Sequence, residues 1–171
     1  MATAASAITN EVEIFRHNAR TIHRVVRLNL DGVTQEESLI QPRPAGNCMN
    51  WVVGHLLWVY DRVLPLLGQT PVTEKDTFQR YARGSSSLHE AGEALDIQKM
   101  MAAWDTASER IDAGLAGLTL RALDALAPFS PSKNPNETVR SLLSGIFFHQ
   151  AYHAGQTGIL RRIAGKAGAI A

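Results

Sequence analysis

Apolar residues recur at steps of three and four along most of the chain, and hardly anywhere do they alternate as a strand would require. Ile8, Val12, Phe15, Ala19, Ile22, Val26 and Leu30 make one such stripe, which predicts a long amphipathic helix from Ala7 to Asn29. Thr34-Gln35-Glu36-Glu37 has the spacing of a capping box and predicts a short turn of helix, stopped by Pro42 and Pro44. Asn47 is the expected cap of a second helix that carries Trp51, His55, Trp58, Val59, Arg62 and Val63 to Leu67 and ends at Gly68. Asp96 is the expected cap of a third, Ile97 to Leu118, on Met100, Met101, Trp104, Ala107, Ile111 and Leu115. Asn134, Pro135 and Glu137 look like the cap, first and third positions of a fourth, which runs to Ala164.

Four long helices predict an all-α fold, a four-helix bundle, as one domain over residues 1–171. The polar stretch from Gln69 to Leu95 is long for a connection inside a compact domain. It can span roughly 30 Å, the length of a 20-residue helix, so the second and third helices can point the same way. An up-down-down-up order follows. Leu120 to Ser132 reads as a turn-rich connection.

With 171 residues, 45% of them hydrophobic, the chain can bury one sizeable core. A net charge of +1 with mixed signs provides no basic stripe or acidic tail, which argues against nucleic acid or an anionic membrane as partner. No apolar run approaches the roughly 20 residues that span a bilayer, and Met1 to Ser6 does not begin like a secretory signal, so the expected location is cytoplasmic. The one cysteine, Cys48, excludes an internal disulfide and agrees with a reducing compartment.

The candidate chemistry lies in His149-Gln150-Ala151-Tyr152-His153-Ala154-Gly155-Gln156. Histidines four apart on a helix lie one turn apart on one face, where both can grip one metal ion. His55, on the inward face of the second helix, supplies a third imidazole. Three neutral imidazoles leave a coordination position open, as catalytic metal sites do, and suit zinc, nickel, copper or iron. The pair alone is weak evidence, because six histidines in a chain of this length produce such a spacing by chance. Buried histidines that merely satisfy local hydrogen bonds stay open as the alternative.

Asn50-Trp51-Val52-Val53-Gly54-His55-Leu56-Leu57 and the run from His149 to Arg162 resemble, in order, the two signature segments of the DinB-like (DinB/YfiT-like) metal-binding superfamily. The resemblance covers essentially the whole chain, though Gln69 to Ser132 matches only in pattern. It implies a bundle in which His55, His149 and His153 hold a divalent metal, zinc or nickel. It further implies a metal-dependent enzyme that activates a low-molecular-weight thiol or water, as an S-transferase does, with a small-molecule substrate. A hydrolase, or a metal-binding stress or interaction protein without turnover, is the alternative, and relatives that pair suggest a homodimer. Gln150 stands where many relatives carry an acidic residue; at about 100° round the helix from His149 it is a poor ligand and a candidate for tuning the site.

The remaining residues divide between site and scaffold. Gln156, three past His153, is expected to contact a ligand ring or the substrate, or else to cap the core with its amide. Trp51, one turn from His55, can wall the site or join the core, and Tyr152 can reach the open position or pack between helices, with packing preferred. Trp58 and Trp104 are expected in the core, and Cys48 as a small buried filler in preference to a reactive thiol. His17, His23 and His89 are expected at the surface, and Arg161 and Arg162 at the end of the last helix, where they complement its dipole. No glutamate sits between the two C-terminal histidines to act as a general base.

Overall fold

The computed structural model describes the backbone of residues 4–88 and 91–170 and the side chains of 11–88 and 92–170, so the expectations for the Ile8 side chain and for His89 lie outside the described residues. The described residues are helical: α1 (Ala4–Leu30), α2 (Gln35–Ser38), α3 (Met49–Val63), α4 (Ile97–Ala116), α5 (Leu120–Asp124) and α6 (Val139–Ile163). None of these is long and apolar enough to cross a membrane. The apolar stripe of α1 is buried as expected, from Val12 and Phe15 through Ile22 and Val26 to Leu30.

Local signals read correctly at most helix ends. Thr34 forms the capping box with Glu37, and Asp96 accepts from Lys99 N. Gly68 stops the 3-10 turn Leu64–Leu67 that extends α3, at φ 69°, a conformation that costs glycine nothing. Two starts differ. Cys48, not Asn47, precedes α3, because the Asn47 carboxamide oxygen is taken by Ser87 Oγ at 2.8 Å. The last helix begins at Val139 with Thr138 and Ser141 as its capping box, not at Asn134. Ala127 N donates to Glu137 O and Val139 N to Ala125 O, an isolated bridge that keeps residues 137–138 extended past a locally good helix start.

Cross-helix contacts define the direction of the four long helices. Arg16 meets Asp112 and His23 meets Asp105, so α1 and α4 are antiparallel. Phe15 packs on Phe147 and Asn29 bonds Thr157, so α1 and α6 are parallel. Asn50 reaches Leu95, Tyr60 stacks on Trp104 and Leu67 lies against Gly114, so α3 and α4 are parallel. The bundle is therefore up-down-down-up, with the stretch between α3 and α4 returning the chain to the starting end.

That returning stretch is not a bare polar loop. Phe78, Tyr81 and Leu88 leave it for the core, and short 3-10 turns at Gln79–Tyr81 and Ala91–Glu93 shape it. Tyr81 is fully buried, its hydroxyl donating to Asn50 Oδ1 (3.0 Å) and accepting from Leu95 N (2.8 Å). Its ring lies where a side chain on Gly54 would be: a Cβ there would stand 2.3 Å from Tyr81 Cδ1. Gly54 thus lets the connection lie flat on α3, one residue from His55.

Candidate metal centre

The antiparallel neighbours α3 and α6 bring His55, His149 and His153 together from 94 residues apart. One ligating nitrogen from each lies within 4.8 Å of the other two, and His55 Nε2 is 3.2 Å from His149 Nε2. Tetrahedral ligands about 2.0–2.1 Å from zinc are about 3.3 Å apart, so the closest pair already has that spacing. The three rings meet edge to face, with centroids 4.5 to 5.1 Å apart.

Hydrogen bonds set two of the three imidazoles. His55 Nδ1 donates to Tyr81 O at 2.7 Å, and a carbonyl only accepts, so Nε2 presents its lone pair to the centre. His153 Nδ1 is 2.7 Å from Gln156 Oε1, which leaves its Nε2 free in the same way. At 3.2 Å the His55 Nε2 lone pair and His149 Nε2 share either the proton of His149 or a cation. Burial lowers the pKa of all three rings, and the neighbouring imidazoles and the Arg83 charge add to it at His149, which is pushed down to about 4. All three are neutral at pH 7, the form that binds metal.

Among the described residues, His149 Nδ1, Gln150 Oε1 and the Tyr60 hydroxyl are buried with no well-formed hydrogen bond. The Gln150 carboxamide donates to Leu56 O and is close enough to influence both Tyr60 and His149. With Nε2 facing the other rings, a His149 bound through Nε2 would carry its proton on Nδ1, and the Gln150 carboxamide is the group near enough to receive it. Gln150 is entirely buried, and its carboxamide is turned to Leu56 O on α3. The residues present fit a three-histidine metal site.

The histidines floor a cleft of about 940 Å³. Trp51 stacks on one side of the His55 ring (4.9 Å, 13°) and Trp58 on the other (5.7 Å, 18°). Trp51 is also anchored through Nε1 to Ser85 Oγ. Trp58 is therefore a cleft wall and not the core residue expected, whereas Trp104 is fully buried against Tyr60. Tyr152 is 60% exposed at the cleft with its ring edge to His153, so it does not pack between helices. Glu137 is the one acid among the described lining residues, and the hydroxyls of Ser130, Ser132 and Ser141 donate to it.

Outside the cleft, Cys48 is buried, with burial raising its pKa, as a filler would be. His17 is exposed, but His23 is half-buried against Asp105 at 2.8 Å. Arg161 reaches across to Asn29 O and Asp31 O, capping the end of α1 as well as serving its own helix. Tyr81 was not foreseeable as part of the site: it contributes a backbone oxygen, which no side-chain pattern announces.

A family model described as the DinB superfamily matches residues 17–157. No curated protein matches the chain. Among solved structures, a conserved protein from Enterococcus faecalis is similar over 90% of this chain and 97% of that one, with a TM-score of 0.68 and 16% identity. At that identity the likeness speaks for the fold.

Proposed function

Because the chain belongs to the DinB superfamily, we propose that its three-histidine centre holds a divalent zinc or nickel ion and serves an enzyme that transfers a low-molecular-weight thiol to a small electrophile. One observation carries the reading: three neutral imidazoles, His55 buried and His149 and His153 half-buried, converge, and two of them are turned by Tyr81 O and Gln156 Oε1 so that Nε2 points inward. An ion on three neutral ligands keeps its full charge, lowers the pKa of a thiol or water in the open position and polarises a carbonyl. The Trp51 and Trp58 rings hold the His55 imidazole in one plane and exclude water from its faces. Arg83 adds positive charge beside His55 and His149, which favours an anionic nucleophile there.

Thiol transfer is favoured over hydrolysis by the cleft's acid-base inventory. Water on such an ion ionises at about pH 7, and its attack gains from a general base beside it. The lining acid, Glu137, is instead engaged by three hydroxyls. A thiol ionises far more readily than water and manages without such a base.

Elemental analysis of untagged protein tests the centre, with one ion per chain expected and His55→Ala, His149→Ala and His153→Ala each losing it. Turnover is then followed with glutathione, mycothiol or bacillithiol against a panel of electrophiles. Folded protein that takes up no zinc or nickel would overturn the metal reading. Loaded protein that accelerates nothing would leave a binding protein without turnover.

A further inference from the structure

Trp51, His55, Trp58 and Arg62 follow one another along a single stripe of α3 and form a continuous stack. The Arg62 guanidinium lies 5.0 Å over the Trp58 ring and 5.6 Å from that of Phe129, so two aromatic faces hold its plane. The centroid steps of 5.7 and 5.0 Å limit it to within about 11 Å of the His55 ring. No carboxylate among the described residues pairs with it. Its sequence neighbour Asp61 is committed to Val72 N (2.8 Å) and Thr73 Oγ1 (2.6 Å).

A second cation lines the same cleft, and its charge acts on His55 and His149. Arg83 donates to Pro131 O at 3.2 Å, two residues from the Phe129 that flanks Arg62, and it too has no carboxylate partner among the described residues. Both arginines line the cleft. Glu137, the lining acid, accepts from Ser130, Ser132 and Ser141 and pairs with neither arginine among the described residues. Beside Arg62 and the histidines the cleft is lined by the apolar Val59, Val63, Leu142 and Ile146.

We infer that the cleft takes a two-ended ligand, whose reacting end meets the histidines and whose other end is an oxyanion, a carboxylate or phosphate, received by Arg62, with Arg83 adding positive charge to the same cleft. This rests on the proposed function for the identity of the reacting end alone. A guanidinium with its faces covered keeps its edge donors free, and those match an oxyanion in a two-pronged bond. The apolar lining of the cleft selects a linker of several methylenes or a ring. A charged ligand without that body, or an apolar one without the anion, leaves part of the site unmatched.

The test compares 6-mercaptohexanoate with its neutral counterpart 6-mercaptohexan-1-ol by titration calorimetry, on zinc-loaded and on metal-free protein. The acid is expected to bind about tenfold more tightly in both states, the effect of one charge-assisted pair partly open to water. Arg62→Gln reduces the preference below about threefold, Arg62→Lys keeps part of it, and Arg83→Gln weakens it as an independent variant. Arg162→Gln, far along α6, leaves it unchanged. A 6-mercaptohexyl phosphate arm separates the two oxyanions, the tighter binder naming the natural one. Equal affinity for acid and alcohol in wild type, or a preference that survives both Arg62→Gln and Arg83→Gln, overturns the anion subsite. If zinc alters neither affinity while the preference persists, the metal-centred reading fails and the subsite stands. Failure of all the compounds to bind overturns both.

Discussion

Replacing Gly54 by alanine tests how the fold and the site are joined. The added Cβ would stand 2.3, 2.4 and 2.6 Å from Tyr81 Cδ1, Cγ and Cε1, more than 1 Å inside ordinary contact. The ring cannot swing aside, since Tyr81 is fully buried and its hydroxyl is held from two directions by Asn50 Oδ1 and Leu95 N. Displacement must pass into the Tyr81 backbone, whose oxygen holds His55 Nδ1. Alanine gains about 1 kcal/mol in helix propensity. Against this, overpacking costs about 3 kcal/mol where the neighbour cannot yield, and a strained hydrogen bond about 1 kcal/mol more. The net loss is about 3 kcal/mol, which lowers Tm by about 6–12 °C in a domain of this size. Thermal melts by circular dichroism read the stability, and competition with a chromophoric chelator reads zinc affinity, expected to fall at least about tenfold. Gly145→Ala and Gly155→Ala are the controls, because a Cβ there meets nothing and only the propensity gain remains. A Gly54→Ala protein that melts as high as those controls and holds zinc as tightly as wild type would refute the coupling.

Three further outcomes are expected. Gln156→Leu frees His153 Nδ1 and lowers zinc affinity about 10–100-fold with the helix content unchanged, as competition titration will read; undiminished affinity would show that the 2.7 Å bond does not orient the ring. Because burial depresses the His55, His149 and His153 pKa values, the unfolded chain binds more protons than the folded one below the ordinary imidazole pKa of about 6.5. The histidine contribution to stability is therefore whole above that pH and is lost as pH falls toward the His149 value of about 4; metal-free Tm measured from pH 8 to 4.5 should hold level and then drop, and a rise between pH 7 and 5 would contradict the burial argument. Thr138→Ala should cost about 1 kcal/mol and Asn134→Ala less than half of that in urea melts, the reverse order placing the start of α6 where its local sequence suggests.

The parts of the fold that were legible are those decided within one turn of helix. The stripe of α1, the Thr34 capping box and the Asp96 cap depend on residues three or four apart, and they form as read. Gln156 belongs with them, since a side chain three past His153 has one short route to its ring. What misled was local grammar overruled from a distance. Asn134-Pro135-Asn136-Glu137 would start a helix in isolation, but pairing with Ala125 and Ala127 holds its end extended. Trp58 and Tyr152 show the other limit: a stripe of apolar residues says which face turns inward, and at a cleft that face is the wall of a site. Tyr81 O was beyond reach because its backbone reaches His55 only through the course of the polar connection.

The His55 and His149 pair closes a loop of 94 residues, and this has a consequence for the energetics of the whole chain. In the unfolded ensemble, bringing those two positions together carries a large entropic cost, so an ion that bridges them binds the native state almost exclusively. Such an ion would work as a removable cross-link between the two halves of the chain, stronger or weaker with its free concentration. At a hundred times its dissociation constant it would add about 2.7 kcal/mol to the folding free energy. Melting temperature would then become a measure of metal supply, and a mutation anywhere in the bundle that favours unfolding would loosen the ion in proportion.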